Sequence, residues 1–280
     1  MRRPAGGLRW WALVGLAVLG VLAGLTGCAT QVPLPLAGVS AASVTLAPAQ
    51  AQQAADAAWA RVLARFVNGQ GEVDFAALAQ DRSDLDSMVR QVAASSHLDH
   101  AGWAAPLAWL INAYNALSMY NVIDSGIPAS HAGLNKLAFF VNRQFNIGGR
   151  WLSLYAFENE VIRPLGRQQA DPRLHFALNC SALSCPVLPQ RPFTAGALDA
   201  ELARETLAFF ARPGNFRIDV AERMVWLNQI LDFYTEDFVP VPAPSLIAYA
   251  NRYAPQAAPL DYQLRFTPYD WTVANSRRGR

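Results

Sequence analysis

The sequence predicts an α+β fold, a single globular domain in which several helices pack on a small, mainly antiparallel sheet. Three observations carry that expectation. Apolar residues recur at helical spacing in two long stretches, and they alternate at strand spacing around residues 216–227. From Ala51 to Asn275 the composition is globular throughout, with no internal repeat and no second linker. A body of about 230 residues can bury one sizeable core.

Taken in order, Trp59, Val62, Leu63 and Phe66 share one helical face, so residues 51–66 read as an amphipathic helix that Asn68-Gly69-Gln70-Gly71 stops. Val73-Asp74-Phe75 opens a short element, and a polar helix follows around Ser83 to Ala94. Residues 103–123 form the strongest helix. Leu107, Leu110, Ile111, Tyr114 and Leu117 lie on one wide face, with Asn112 and Asn115 on its edge. Ser153 reads as the N-cap of a helix that Pro164 and Gly166 end near Ile162. Leu174 to Asn179 reads as a buried strand, and residues 216–220 and 224–227 as a hairpin. Helices near 228–238 and 243–253 and a strand near 262–266 complete the domain.

Ahead of this body, Arg2, Arg3 and Arg9 precede an apolar run, Trp10 to Leu25, of 16 residues, short of the roughly 20 that span a bilayer. The run ends in Leu25-Thr26-Gly27-Cys28, which resembles the lipobox of bacterial lipoproteins. That resemblance implies a signal peptide over residues 1–27, acylation of Cys28 and, with Ala29 next, the periplasmic face of the outer membrane. Residues 28–50, rich in Ala and Pro and without charge, read as a flexible tether. Residues 1–27 hold three arginines and no acid, which leaves 20 basic and 21 acidic side chains, a balance of −1. Residues 276–280 form a basic tail too short for a nucleic-acid stripe, so no nucleic-acid partner is expected.

The residues with chemistry cluster in His175-Phe-Ala-Leu-Asn-Cys180-Ser-Ala-Leu-Ser-Cys185-Pro186. A thiol beside an imidazole makes a thiolate nucleophile. A straight strand would place His175 and Cys180 on opposite faces about 16 Å apart, which excludes them as a local dyad. With Cys28 committed to lipid, Cys180 and Cys185 are an even pair that could form a disulfide, supply one free thiol or stay inert. Glu158 has two readings: it orients His175 or meets substrate, or it forms an ion pair with Arg163. Asn112 and Asn115 either meet a substrate amide or oxyanion, or satisfy backbone inside the core. His97 and His100 have the spacing of a helical metal pair but lack further ligands, and His131 lies in a loop. No metal or cofactor is expected, as there is neither a phosphate-cradling glycine loop nor a Gly-x-Ser-x-Gly elbow.

These residues resemble the bacterial and plant proteins grouped as domain of unknown function 547. The likeness rests on Trp109-Leu-Ile-Asn112-Ala-Tyr114-Asn115-Ala116-Leu117, on Gly148, Ser153-Leu154, Glu158 and Ile162-Arg163, and on the His175–Pro186 run. Asp237-Phe238 and Tyr269-Asp270-Trp271 extend it, so that it covers about residues 58–275. It implies one α+β domain and a shared pocket to which Arg163, Asp270 and Trp271 contribute, and no particular reaction. Asn159 stands where that family usually has histidine, and Trp271 is followed by Thr272-Val273-Ala274-Asn275, one residue longer than usual.

Two functions follow as expectations. One is a lipid-anchored envelope hydrolase or transferase on an acyl or amide bond, with His175 as base, Glu158 as its orienter and Cys180 or Cys185 as nucleophile. The other is a non-catalytic envelope module that binds a peptide, a glycan or a protein. The partners are the membrane, through lipid on Cys28, and an unidentified envelope substrate or protein. A redox role for the pair is weaker, because the spacing is not Cys-x-x-Cys. Mass spectrometry of the protein from its native envelope should find an acylated Cys28 at the amino terminus, and an unmodified terminus ahead of it would refute the leader.

Overall fold

A two-residue strand, β1 (Thr30–Gln31), opens the computed structural model, which describes residues 29–35, 48–95 and 104–277. Val32, immediately after β1, is buried, and the Tyr120 hydroxyl donates to the Pro33 carbonyl at 3.2 Å. The stretch expected as a tether is therefore docked at its start. A sheet edge that offers free backbone groups, plus one buried valine, outweighs its low apolar content. Helix α1 (Pro48–Phe66) also begins inside that stretch, with Pro48 at its first residue, where a missing N–H costs nothing.

After the turn at Gly71 come α2 (Phe75–Gln80), capped by the Asp74 side chain, where a short element of unspecified type was expected, and α3 (Ser83–Ala94), a helix as predicted. Helix α4 (Ala104–Asp124) has 17 of its 21 residues buried, so it is a central core helix rather than an amphipathic surface one. A short helix α5 (Leu134–Leu137) continues as a π-helical turn (Ala138–Asn142) into the strands β2 (Arg143–Ile147) and β3 (Arg150–Ser153). Gly148 and Gly149 join them with φ of 57° and 84°, the left-handed pair that a two-residue hairpin turn demands.

Ser153 caps the next helix as expected, its hydroxyl accepting from Ala156 N–H at 3.1 Å. This α6 has three parts: Leu154–Ala156, a π-helical stretch Phe157–Ile162, and Arg163–Gln168. It does not end at Pro164. Pro164 falls in the first turn of the last part, where its missing donor is tolerated. The predicted strand at 174–179 is also corrected, because Pro172–Phe176 is a 3-10 helix whose start Asp171 caps through Arg173 N–H. A short apolar run does not by itself distinguish strand from buried helix.

The second half comprises α7 (Leu198–Phe210), the predicted hairpin β4 (Phe216–Asp219) and β5 (Met224–Asn228), and then α8 (Ile230–Phe233), α9 (Thr235–Phe238) and α10 (Leu246–Ala250). Strand β6 (Gln263–Thr267) closes the order. The fold is α+β, but the single, mainly antiparallel sheet is replaced by two small mixed ones. In the order β1-β2-β3 the first pair is parallel; in β4-β5-β6 the last pair is.

Two hydrophobic clusters result. One surrounds α4 with α1, α3 and β2; the other is aromatic, built on Phe176, Phe209, Phe210, Phe238 and Tyr249. Tyr269 packs against both. The tail is docked too: Ser276 N–H donates to the Val73 carbonyl, and Arg277 pairs with Asp74 at 2.7 Å. Among the described residues no helix is long and apolar enough to cross a membrane.

Gly71 has φ +79°, and a Cβ there would lie 2.6 Å from Val187 Cγ1 and 2.7 Å from the Leu188 backbone nitrogen. Gly71→Ala should cost about 2–3 kcal/mol in urea unfolding, from left-handed strain plus the clash. Gly69→Ala, with open space around it, should stay within about 0.5 kcal/mol.

Candidate functional site

A polar seam on α4 builds the site. Asn112, Asn115, Ser118 and Asn121 are buried three residues apart, and each ties a distant segment to the helix. Asn112 brackets Phe193, accepting from its N–H at 3.0 Å and donating to its carbonyl at 2.7 Å, while Trp59 Nε1 also donates to it. Asn115 donates to the Ala177 carbonyl at 3.0 Å and accepts from Asn179 N–H at 2.8 Å. Ser118 meets Ser181, and Asn121 donates to the Phe139 carbonyl. Of the two roles open for Asn112 and Asn115, the structure shows the structural one, since every amide group is engaged by protein.

Through Asn115 and Ser118 the helix fixes the residues between His175 and the cysteines. Asn179 closes this loop on itself, accepting from Ser181 N–H at 2.7 Å and donating to the Pro186 carbonyl at 2.7 Å. Ser181, at φ +62°, is held by these bonds in the left-handed region. Cys180 and Cys185, with Cα atoms 6.2 Å apart, form a disulfide. The sulfurs face Tyr269, whose hydroxyl donates to Cys185 Sγ at 3.2 Å.

His175, Glu158, Arg163, Cys180, Cys185 and Trp271 all line one cavity of about 440 Å3. Phe140, Phe233, Tyr234, Tyr269 and Lys136 complete most of its wall. The disulfide sits in that wall, and both sulfurs are bonded.

His175 is 1% exposed and lies stacked on Tyr234, ring centroids 4.2 Å apart. Its Nε2 is 2.7 Å from Asp237 Oδ2. Burial pushes the Asp237 carboxyl up, but hydrogen bonds from His175, Arg163 and Arg167 outweigh it and hold the group far below the usual carboxylate range. An ionised carboxylate only accepts, so Nε2 carries a proton, and in the neutral form of the ring the lone pair falls on Nδ1. That Nδ1 is buried with no hydrogen-bond partner in the protein.

The orienter of His175 is therefore Asp237, not Glu158. Arg163 does not pair with Glu158 either: it donates to Asp237 Oδ2 and Glu236 Oε1, both at 2.7 Å, and to Asn159. Glu158 sits in the π-helical stretch, a distortion that recurs at functional sites. Glu158 accepts instead from the Tyr114 hydroxyl at 2.9 Å. Tyr234 and Tyr269 both feel its charge. Burial first, then this carboxylate, raise all three phenols well above their ordinary pKa, so they remain neutral O–H donors.

The other candidates are dispersed. Asp270 is exposed and outside the cavity wall, its carboxylate accepting from Thr272 N–H at 2.9 Å. His131 lies in the loop before α5, as expected, but is fully buried there, its ring centroid 3.9 Å from that of Phe139. Burial pushes its pKa down to about 4, against the pull of the Cys180 backbone. Cys28, His97 and His100 lie outside the described residues. Among the described residues no three His, Cys, Asp or Glu side chains converge as a metal site would need.

Residues 100–210 match a family model described as Protein of unknown function, DUF547. Over that span the chain is similar to this family. The match covers α4, Glu158, Arg163, His175 and both cysteines, and it stops before Asp237, Tyr269 and Trp271. No curated protein and no solved structure matches the chain.

Sequence reasoning missed Asp237 as a partner, and missed the phenols of Tyr114 and Tyr234. One signal was present: Arg163 and Arg167 lie one turn apart, which calls for acids opposite, and Glu236-Asp237 supplies them. The Asp237 carboxyl is depressed in the folded state, so its contribution is present above the unfolded pKa of about 4 and is lost as pH falls below that. Asp237→Asn should lower stability by about 3 kcal/mol at neutral pH. It should also flatten the fall of the urea midpoint below pH 4, and an unchanged slope would refute the assignment.

Proposed function

We propose that the protein is a lipid-anchored cell-envelope hydrolase or transferase acting on an acyl or amide bond, with His175 as general base. One observation carries the reading: an imidazole with Nε2–H fixed on an ionised carboxylate and an Nδ1, the lone-pair nitrogen of its neutral form, that no protein group uses. Buried polar atoms are nearly always paired, so an orphan on a positioned base at a cavity wall suits a hydrogen from substrate or water.

With both sulfurs bonded, the attacking atom is the oxygen of water or of a substrate hydroxyl. Its proton passes to His175 Nδ1 as the oxygen bonds to the acyl carbon. The bond from that carbon to the leaving nitrogen or oxygen then breaks, and the leaving atom takes the proton from Nδ1. His175 returns to neutrality, and Asp237 stays a carboxylate throughout. The neutral phenols beside Glu158 are donors of the kind that meets charge growing on an acyl oxygen. The leader ending in Cys28 supports the envelope location, and the disulfide suits an oxidising compartment.

A second reading, a non-catalytic module for a peptide, glycan or protein, is favoured by the closed disulfide and the aromatic walls. The discriminating experiment incubates the protein with envelope fractions, without reductant, and follows products by mass spectrometry. The catalytic reading expects a product whose formation resists iodoacetamide and falls at least about 100-fold in His175→Ala. Retention of an envelope component without any product selects the binding module instead.

A further inference from the structure

The mouth of the cavity is apolar in a way its floor is not. Leu134, Leu137 and Val141 follow one another along α5 and its π turn, at 85%, 52% and 42% exposure. Leu137 and Val141 line the cavity, as do Tyr155 and Phe233, both also exposed. Of the eleven large apolar side chains exposed among the described residues, these five gather at or beside one opening. Single exposed apolar residues are ordinary on a protein surface, but a contiguous set beside a pocket marks a contact with something apolar.

Lys136 is set into the same edge. Its Nζ lies 4.1 Å from the Trp271 ring centroid and 5.3 Å from that of Phe233, and it has no carboxylate within ion-pair distance among the described residues. An unpaired ammonium between an apolar strip and a polar interior complements a negatively charged group. Deeper in, Glu158 and His175 line the same cavity.

We propose that the site takes an anionic single-chain amphiphile. Its polar end, beside Lys136, enters the cavity, and its aliphatic chain lies outward along Leu137, Val141 and Leu134. This names the substrate class for the catalytic reading above and rests on it only for turnover, since occupancy is independent of chemistry. Affinity should then rise about two- to fourfold for each methylene added to the chain until the strip is covered.

The test uses the full chain in phosphatidylcholine nanodiscs with a diazirine-bearing palmitate as photoprobe. Expected is labelling concentrated on the peptide containing residues 134–141, competed by unlabelled laurate and not by butyrate. The exposed-site variant Leu137→Glu with Val141→Glu should reduce it at least tenfold. Labelling that laurate does not compete, or that spreads over the surface, would mean a bilayer contact and overturn the proposal, as would no labelling at all. Acyl turnover is followed in parallel samples that hold N-palmitoylglycine, an anionic single-chain amide, as substrate. Competed labelling without turnover supports this ligand class and counts against the catalytic reading alone. Turnover of butyryl substrates without labelling overturns the amphiphile and leaves the catalytic reading standing.

Discussion

The site depends on one constraint, the buried polar seam of α4. A helix interior satisfies its own backbone, so a buried asparagine side chain must find partners elsewhere or cost about 1–3 kcal/mol. Here each seam residue finds them on a different segment: Phe193, then Ala177 and Asn179, then Ser181, then Phe139. Steps of three residues drift backwards round the helix by about 60° each, so the seam winds across its surface. Irregular chain that lacks a ladder of its own is thus pinned to a helix with 17 of its 21 residues buried. The placement of His175 and the cystine follows from that pinning.

A second consequence concerns charge. Asp237 serves three donors at once, the Arg163 and Arg167 guanidiniums and the N–H side of His175. Glu158, on the same cavity, is served by the neutral phenol of Tyr114 instead. Two buried carboxylates therefore differ in kind. One is locked into an ion-pair network and fixes a tautomer; the other keeps acceptor capacity toward the cavity. Environments that separate two acids in this way are how a fold assigns them different tasks.

Much of this fold could be read from residue order, and the reasons differ from element to element. The helices α1, α3 and α4 emerge from helical spacing over several turns, and β4–β5 from alternation along residues 216–220 and an apolar run at 224–227 across a polar turn. The β2–β3 hairpin escaped notice although Gly148-Gly149 marks it, because its strands are short and mostly polar. His175 was misplaced onto a strand since Leu174 to Leu178 is apolar at every period, and only Asp171-Pro172 hints at a 3-10 start. Glu158, His175 and both cysteines do converge on one cavity, as their chemistry suggested. Asp237, 62 residues beyond His175, joins it through tertiary packing that no local pattern encodes.

The pairing of Thr30 and Gln31 with β2 bears on how the molecule would sit on a bilayer. Two extended residues reach at most about 7 Å. Were Cys28 acylated, the folded body would be pressed against the lipid headgroups instead of swinging on a leash. Its freedom would be rotation about a fixed pivot, and it would sample the leaflet beneath it by lateral diffusion.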